Sequence, residues 1–262
     1  SKLSAEPSMV LRTPNQRSSV DRSPRRAGQV SADLRPSLMR PSGGLRWHLR
    51  ALRYRKCHGP FREQVASFLA AWEPDTTDLV LVGPSAGWFL PATFLTRFSR
   101  LLMMELDTSA RFFFQLRHGR SLRQAQASTT WLMGDFVTRL PEVLAARPKA
   151  AVLFCNVLGQ LGLERSDYQV ELAALKLRLS GRRWASFHDR FSSLGQDLRG
   201  RVAASFSSTR SMDAAMLGEL GCSGEWTDHG TEHVFPDGTL RRVAVWSITK
   251  SRVHFVEMGS VG

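Results

Sequence analysis

The chain has 262 residues, 42% of them apolar, enough for one sizeable domain and an extension. Its apolar runs, such as 79–82 and 150–155, are far too short to span a bilayer, so no membrane span is expected. Three widely spaced cysteines (Cys57, Cys155 and Cys222), with no CxxC, argue against a disulfide framework and against a metal site, and point to a reducing, cytoplasmic setting.

The formal charge of +13 is uneven. Residues 1–58 hold 13 Lys/Arg against 3 Asp/Glu, whereas residues 59–262 hold 23 against 20. Residues 1–45, rich in Ser, Arg and Pro and without an apolar period, are expected to form a disordered basic arm ahead of an α/β domain over 46–262. Such an arm suits nucleic acid or another acidic partner, a transit peptide, or an extension without function. Phe61, Val65, Phe68, Leu69 and Trp72 then fit one helix face between Gly59-Pro60 and Pro74.

Leu79–Val82, ending in Gly83, predicts a buried first strand, followed by a helix over about 89–98 with Pro91 in its first turn. Leu101–Leu106 predicts the second strand. Ser109 then caps a helix ending at Gly119, with Phe112, Phe113 and Leu116 turned inward. Thr130–Met133 predicts a third strand and a helix beginning near Pro141. Ala150–Cys155 predicts the fourth. Ser166 or Asp167 caps a helix whose Tyr168, Leu172, Leu175 and Leu179 share a face, and Gly181 stops it. Trp184–Phe187 is the fifth strand, and a further helix is expected near 212–220. Arg242–Thr249 and Arg252–Met258, joined at Lys250-Ser251, are too close for a crossover helix and must pair antiparallel. The fold expected is a doubly wound, Rossmann-like seven-stranded sheet, mostly parallel, with a C-terminal antiparallel hairpin. The long polar segment 221–240, with Trp226, His229, His233 and Phe235, reads as a substrate lid or a variable insertion.

Ligands of an open parallel sheet bind beyond the carboxyl ends of its strands. The first strand is followed there by Gly83-Pro84-Ser85-Ala86-Gly87, whose small residues allow close backbone approach ahead of the amides of the next helix. The second is followed by Glu105-Leu106-Asp107, where a carboxylate can accept from both hydroxyls of a ribose. The third is followed by Gly134-Asp135, where one can accept from an adenine amine. Asn156 follows the fourth, and His188-Asp189 the fifth.

The stretch LVLVGPSAGWFLP…LLMMELDTSARF…WLMGDFVTRLP…AAVLFCNVLGQL resembles the class I S-adenosylmethionine-dependent methyltransferases over roughly residues 60–260. The resemblance implies a seven-stranded sheet and S-adenosylmethionine as cofactor. Gly83, Ser85 and Gly87 form the glycine-rich loop, Glu105 with Asp107 the ribose-binding E-x-D, and Asp135 the adenine acid. Asn156 stands where the methyl group meets the acceptor. The chain departs from the pattern in two places: Leu81 stands where the family has an acid, and Ser85 replaces the middle glycine.

For the acceptor, expected to be a small molecule, His188 and His229 are the candidate general bases, since histidine titrates near neutrality. Two rivals remain. Gly83–Gly87 is also a literal G-x-S-x-G, so Ser85 would be the nucleophile of a serine hydrolase, with His229, His233 or His254 completing a triad. Alternatively, the fold is a degenerate methyltransferase serving as a binding module. The sequence leaves the oligomeric state open.

Overall fold

The computed structural model describes residues 10–12, 44–164, 167–195, 198 and 205–262. In chain order these form β1 (Val10–Arg12), α1 (Gly44–Arg53), α2 (Gly59–Ala71), β2 (Asp78–Val82), α3 (Ala92–Leu95), β3 (Arg100–Glu105), α4 (Ala110–Gln124) and β4 (Ser128–Met133). There follow α5 (Phe136–Ala146), β5 (Ala151–Cys155), α6 (Leu158–Glu164), α7 (Tyr168–Leu179), β6 (Trp184–Leu194) and β7 (Ser205–Ser208). The chain closes with α8 (Ala214–Glu219), β8 (Glu225–Asp228), β9 (Arg241–Ser247) and β10 (Arg252–Val261).

The sheet runs β4-β3-β2-β5-β6-β10-β9-β7. Strands β4 through β6 are mutually parallel, and β10 enters antiparallel between β6 and β9. This is the doubly wound sheet with a C-terminal hairpin. The chain order reverses at β2, so the crevice opens between the ends of β2 and β5. Alternation along each strand feeds two cores. Leu79, Leu81, Leu101, Met103 and Leu153 pack under α2, α3 and α4, and Val80, Val82, Met104, Val152 and Phe154 pack under α5 and α7. All five residues of β2 are buried, and each Leu or Val so buried contributes roughly 1.5–3 kcal/mol.

Several expectations shift. Among the described residues the seven expected strands are all present, and three short strands, β1, β7 and β8, extend the sheet, none of them announced by a sustained apolar run. The fifth strand runs on through His188-Asp189 to Leu194, since β10 pairs along its whole length. The helix expected over 89–98 is a single turn, with Pro91 at its N-cap and Leu90 packed into the core from the loop. In α4 the buried residues are Ala110, Phe114, His118, Gly119 and Leu122; Phe112 and Leu116 are exposed, and Gly119 lies inside the helix instead of ending it. Asp135 caps α5, so Pro141 falls in the helix interior and leaves the Val137 carbonyl without its helical donor. Segment 221–240 is not an open lid: it contains β8 and the fully buried Trp226, which packs on Phe255. Of the arm over 1–45, residues 10–12 pair parallel with β8, Gly44 and Leu45 open α1, and the rest lies outside the described residues, as does Ser166.

Candidate functional site

The turn after β2 is fixed by three left-handed residues, Gly83 (φ 64°), Ser85 (φ 51°) and Gly87 (φ 64°). At Gly83 a Cβ would overlap the Val157 side chain of the loop after β5. At Gly87 it would lie 2.7 Å from His118 Nε2. That ring donates to the Gly87 carbonyl at 3.1 Å, and burial lowers its pKa to about 4, so it packs as a neutral group. Because α3 is one turn long, the turn's own backbone and not a helix end lines the crevice here.

Glu105 ends β3 and ties the two strand ends together. Its Oε2 accepts from Ser85 N–H at 2.7 Å, and its Oε1 from the amides of Leu106 and Asp107 at 2.8 and 3.1 Å. Burial pushes its carboxyl above the ordinary value, against the pull of those three amides. Among the described residues Oε2 receives one donor, where a carboxylate oxygen has two lone pairs, so it retains acceptor capacity.

Asp107 is engaged elsewhere. Its Oδ2 accepts from Gly44 N–H and lies 2.9 Å from His48 Nε2, and its Oδ1 accepts from the amide and hydroxyl of Ser109. Trp88 Nε1 donates to His48 Nδ1 at 3.1 Å, which leaves the imidazole proton on Nε2, facing Asp107. Burial works against the Asp107 carboxylate, but His48 and Ser109 outweigh it and draw its pKa down to about 2. Instead of facing a ribose, Asp107 docks α1 beside the glycine-rich turn. No periodicity in the sequence connects it to a histidine 59 positions earlier.

Asp135 follows β4 and Gly134, and its Oδ1 accepts from Val137 N–H at 3.0 Å. Asn156 follows β5 in the left-handed region (φ 58°). Its amide brackets Asp189: Nδ2 donates to Asp189 Oδ2 at 3.1 Å, and Oδ1 accepts from Asp189 N–H at 2.9 Å. Gly83, Ser85, Gly87, Glu105, Asp135 and Asn156 thus share one edge of the sheet, at the ends of four neighbouring strands.

The two histidines part company. His188 lies inside β6, fully buried, with its ring on Phe235 and its Nδ1 2.9 Å from Ser186 Oγ. Burial lowers its pKa to about 3, so it is no base near neutrality. His229 lies near Asn156. Its Nδ1 donates to the Gly159 carbonyl at 3.0 Å, and its Nε2 accepts from Ser192 Oγ at 2.9 Å; burial lowers its pKa. Neighbouring Asp189 is buried too, but the His254 and His229 rings and the Asn156 amide keep its pKa below the ordinary value. His254 Nδ1 stands 2.9 Å from Asp189 Oδ1. That Asp189 and His254 meet is not legible in sequence, because they come together across two strands, 65 positions apart.

Ser85 has no catalytic partner: among the described residues, no hydrogen bond joins its hydroxyl to a histidine. His48, His58 and His118 are bonded to Asp107 and Trp88, to the Ile248 carbonyl, and to the Gly87 carbonyl. Two cavities lie beyond these residues, the first beginning at Phe136 and Leu158 next to Asp135 and the Asn156 loop. One, of about 20 Å³, is an apolar gap between α5 and α7; the other, of about 330 Å³, is a polar cleft beside Arg210, Glu232 and Arg241.

No family model matches the chain, and no curated protein sequence does. Similar solved structures include the magnesium protoporphyrin IX methyltransferase of Synechocystis, with bound SAH (12% identity over 82% of this chain and 92% of that one, TM-score 0.43). The N-methyltransferase NodS of Bradyrhizobium japonicum is similar at 11% identity over 78% and 97%, with a TM-score of 0.40. An S-adenosylmethionine-dependent methyltransferase of Clostridium acetobutylicum is similar at 10% identity over 82% and 80%, with a TM-score of 0.38. The fold itself is established by the strand order described above.

Proposed function

We propose that the chain binds S-adenosylmethionine at the β2–β5 edge and transfers its methyl group to a small-molecule acceptor. The observation that carries this reading is the bond from Ser85 N–H to Glu105 Oε2. It closes a left-handed glycine-rich turn onto a strand-end carboxylate that still has acceptor capacity. Glu105 would hold the ribose, Asp135 the adenine amine, and the Gly83–Gly87 backbone the remainder of the cofactor. When bound, that group supplies a sulfonium-activated methyl.

The chain's own residues then have to position an acceptor, which is most of what methyl transfer asks of a protein. Asn156 marks the acceptor side. Its left-handed backbone turns the side chain toward Asp189, and with His229 these residues form a polar wall beside the crevice. Leu81, where the family has an acid, is fully buried in the core, so the amino-acid end of the cofactor has to be held by backbone groups.

Calorimetry with S-adenosylmethionine on wild type, Glu105→Ala and Ser85→Ala tests the proposal. Charge-assisted hydrogen bonds are worth about 1.5–3 kcal/mol each, so Glu105→Ala should weaken binding by roughly ten- to a hundredfold or more. Ser85 contributes its backbone, so Ser85→Ala should leave affinity nearly unchanged. Wild type that fails to bind but reacts with a fluorophosphonate at Ser85 would instead be a hydrolase. Wild type that does neither would be a binding module.

A further inference from the structure

We infer that Asp189, His229 and His254 form a binding site for a divalent transition-metal cation, with zinc the best-fitting occupant. The inference does not rest on the methyltransferase reading. One ligand atom from each residue lies within 4.8 Å of the other two, and all three residues are buried. Among the described residues this is the one such group of His, Cys, Asp and Glu.

The sheet builds this cluster by a specific device. The register of β6 against β10 slips between Phe255 and Val256: Phe255 pairs Phe191 and Val256 pairs Asp189, leaving Arg190 as an extra residue. Without that bulge, residues 189 and 192 would point to opposite faces. With it, Asp189, Ser192 and His254 share one face. β8 then occupies the edge of β6 beyond the end of β5, pairing Asp228 with Phe191, and delivers His229 to the same face. Gly159 lets α6 come close, since a Cβ there would lie 2.8 Å from the Asp189 carbonyl.

The donor chemistry matches a metal better than a closed hydrogen-bond network. His229 Nδ1–H is held by the Gly159 carbonyl, which fixes the tautomer and turns the Nε2 lone pair into the cluster. Asn156 orients the Asp189 carboxylate through Oδ2 and leaves Oδ1 facing the histidines. His254 Nδ1 lies 2.9 Å from that Oδ1, an ion-pair contact, while the other ring nitrogen, Nε2, is buried without a hydrogen-bond partner. Buried polar atoms left in that state are costly. A cation would take one lone pair each from Oδ1, the His254 ring and His229 Nε2, in exchange for the single bond from Ser192 Oγ. Two imidazoles and one carboxylate are the ligands of open zinc sites and of facial-triad metal sites.

The test begins with elemental analysis of the full chain purified without chelators. The protein is then stripped with chelator under denaturing conditions, refolded, and titrated with Zn2+ or Co2+. The expected result is one metal per chain. Losing a residue that merely orients a ligand costs ten- to a hundredfold in metal affinity, so Asp189→Asn and His254→Ala should each weaken binding by about 100-fold or more, with circular dichroism confirming the fold. Ser192→Ala should bind at least as well as wild type. The Co2+ spectrum of wild type reads the ligands independently of any variant and should show nitrogen and oxygen donors only. Absence of stoichiometric metal, thiolate bands in the Co2+ spectrum, or affinity untouched by both ligand variants would each overturn the site.

Discussion

Gly83 combines two constraints that usually occur apart. Its φ of 64° costs an alanine about 1–2 kcal/mol, and the added methyl would overlap Val157. Overpacking of that kind adds about 1–3 kcal/mol, so Gly83→Ala should destabilise the fold by about 2–5 kcal/mol in urea titrations. Adding Val157→Ala should recover the steric part and leave the backbone part, giving a double-mutant cycle with clear coupling. Strictly additive effects would mean that the two loops do not touch. Gly83 and Glu105 were legible in the sequence because a buried apolar run stops there and small or acidic residues follow at once. His188 was misread for the converse reason. The apolar run ends at Phe187, but the strand is continued by pairing with β10, which local composition does not record.

At the scale of elements, the docking of α1 rests on one carboxylate. The folded pKa of Asp107, about 2, lies below its ordinary 3.8, so its stabilising contribution is complete above about pH 4 and is lost as pH falls towards 2. Nearly two units at 1.36 kcal/mol per unit set an upper limit of about 2.5 kcal/mol, and solvent screening of this half-buried carboxylate brings the contribution nearer to about 1 kcal/mol. Hydrogen exchange at the α1 amides, taken relative to the intrinsic rate at each pH, should therefore accelerate through that window in wild type. His48→Ala should accelerate it already at neutral pH. Asp107→Asn should show the same raised rate without the acid step. Parallel loss of protection in wild type and Asp107→Asn would show that this pair does not hold α1. The strands β2, β3 and β5 were readable as two-sided apolar runs. By contrast, α1 has an amphipathic face whose inward side is Gly44, His48 and Ala51, which no hydrophobicity pattern identifies. In α4 the buried stripe includes Ala110 and His118, so the exposed Phe112 and Leu116 misdirect a reading by apolarity alone.

The whole molecule divides by charge, and the boundary does not fall at the end of the arm. Residues 1–43 hold 8 Lys/Arg and 3 Asp/Glu, and residues 44–58 hold 5 Lys/Arg and no acid. The net of +10 in residues 1–58 is therefore split evenly between the chain before α1 and the segment made of α1 and its following turn. Arg46, Arg53, Arg55 and Lys56 of that segment are exposed, beside the exposed Leu45, Leu49 and Leu52. The prediction is that affinity for polyanions resides in these two segments and not in the nearly balanced body. Each phosphate contact on a single strand contributes about −0.7 to the slope of log K against log salt. Removing residues 1–43 should reduce that slope for oligo-RNA or heparin by about half. This cut spares Gly44 and its bond to Asp107, although it also removes the β1 pairing, so a melting curve must accompany it. Neutralising Arg46, Arg53, Arg55 and Lys56 in the truncated chain should remove most of the remaining slope, with affinity for S-adenosylmethionine unchanged. If the truncated and neutralised chain bound polyanions with the wild-type slope, the contact would lie on the body, and the uneven charge would have no part in it.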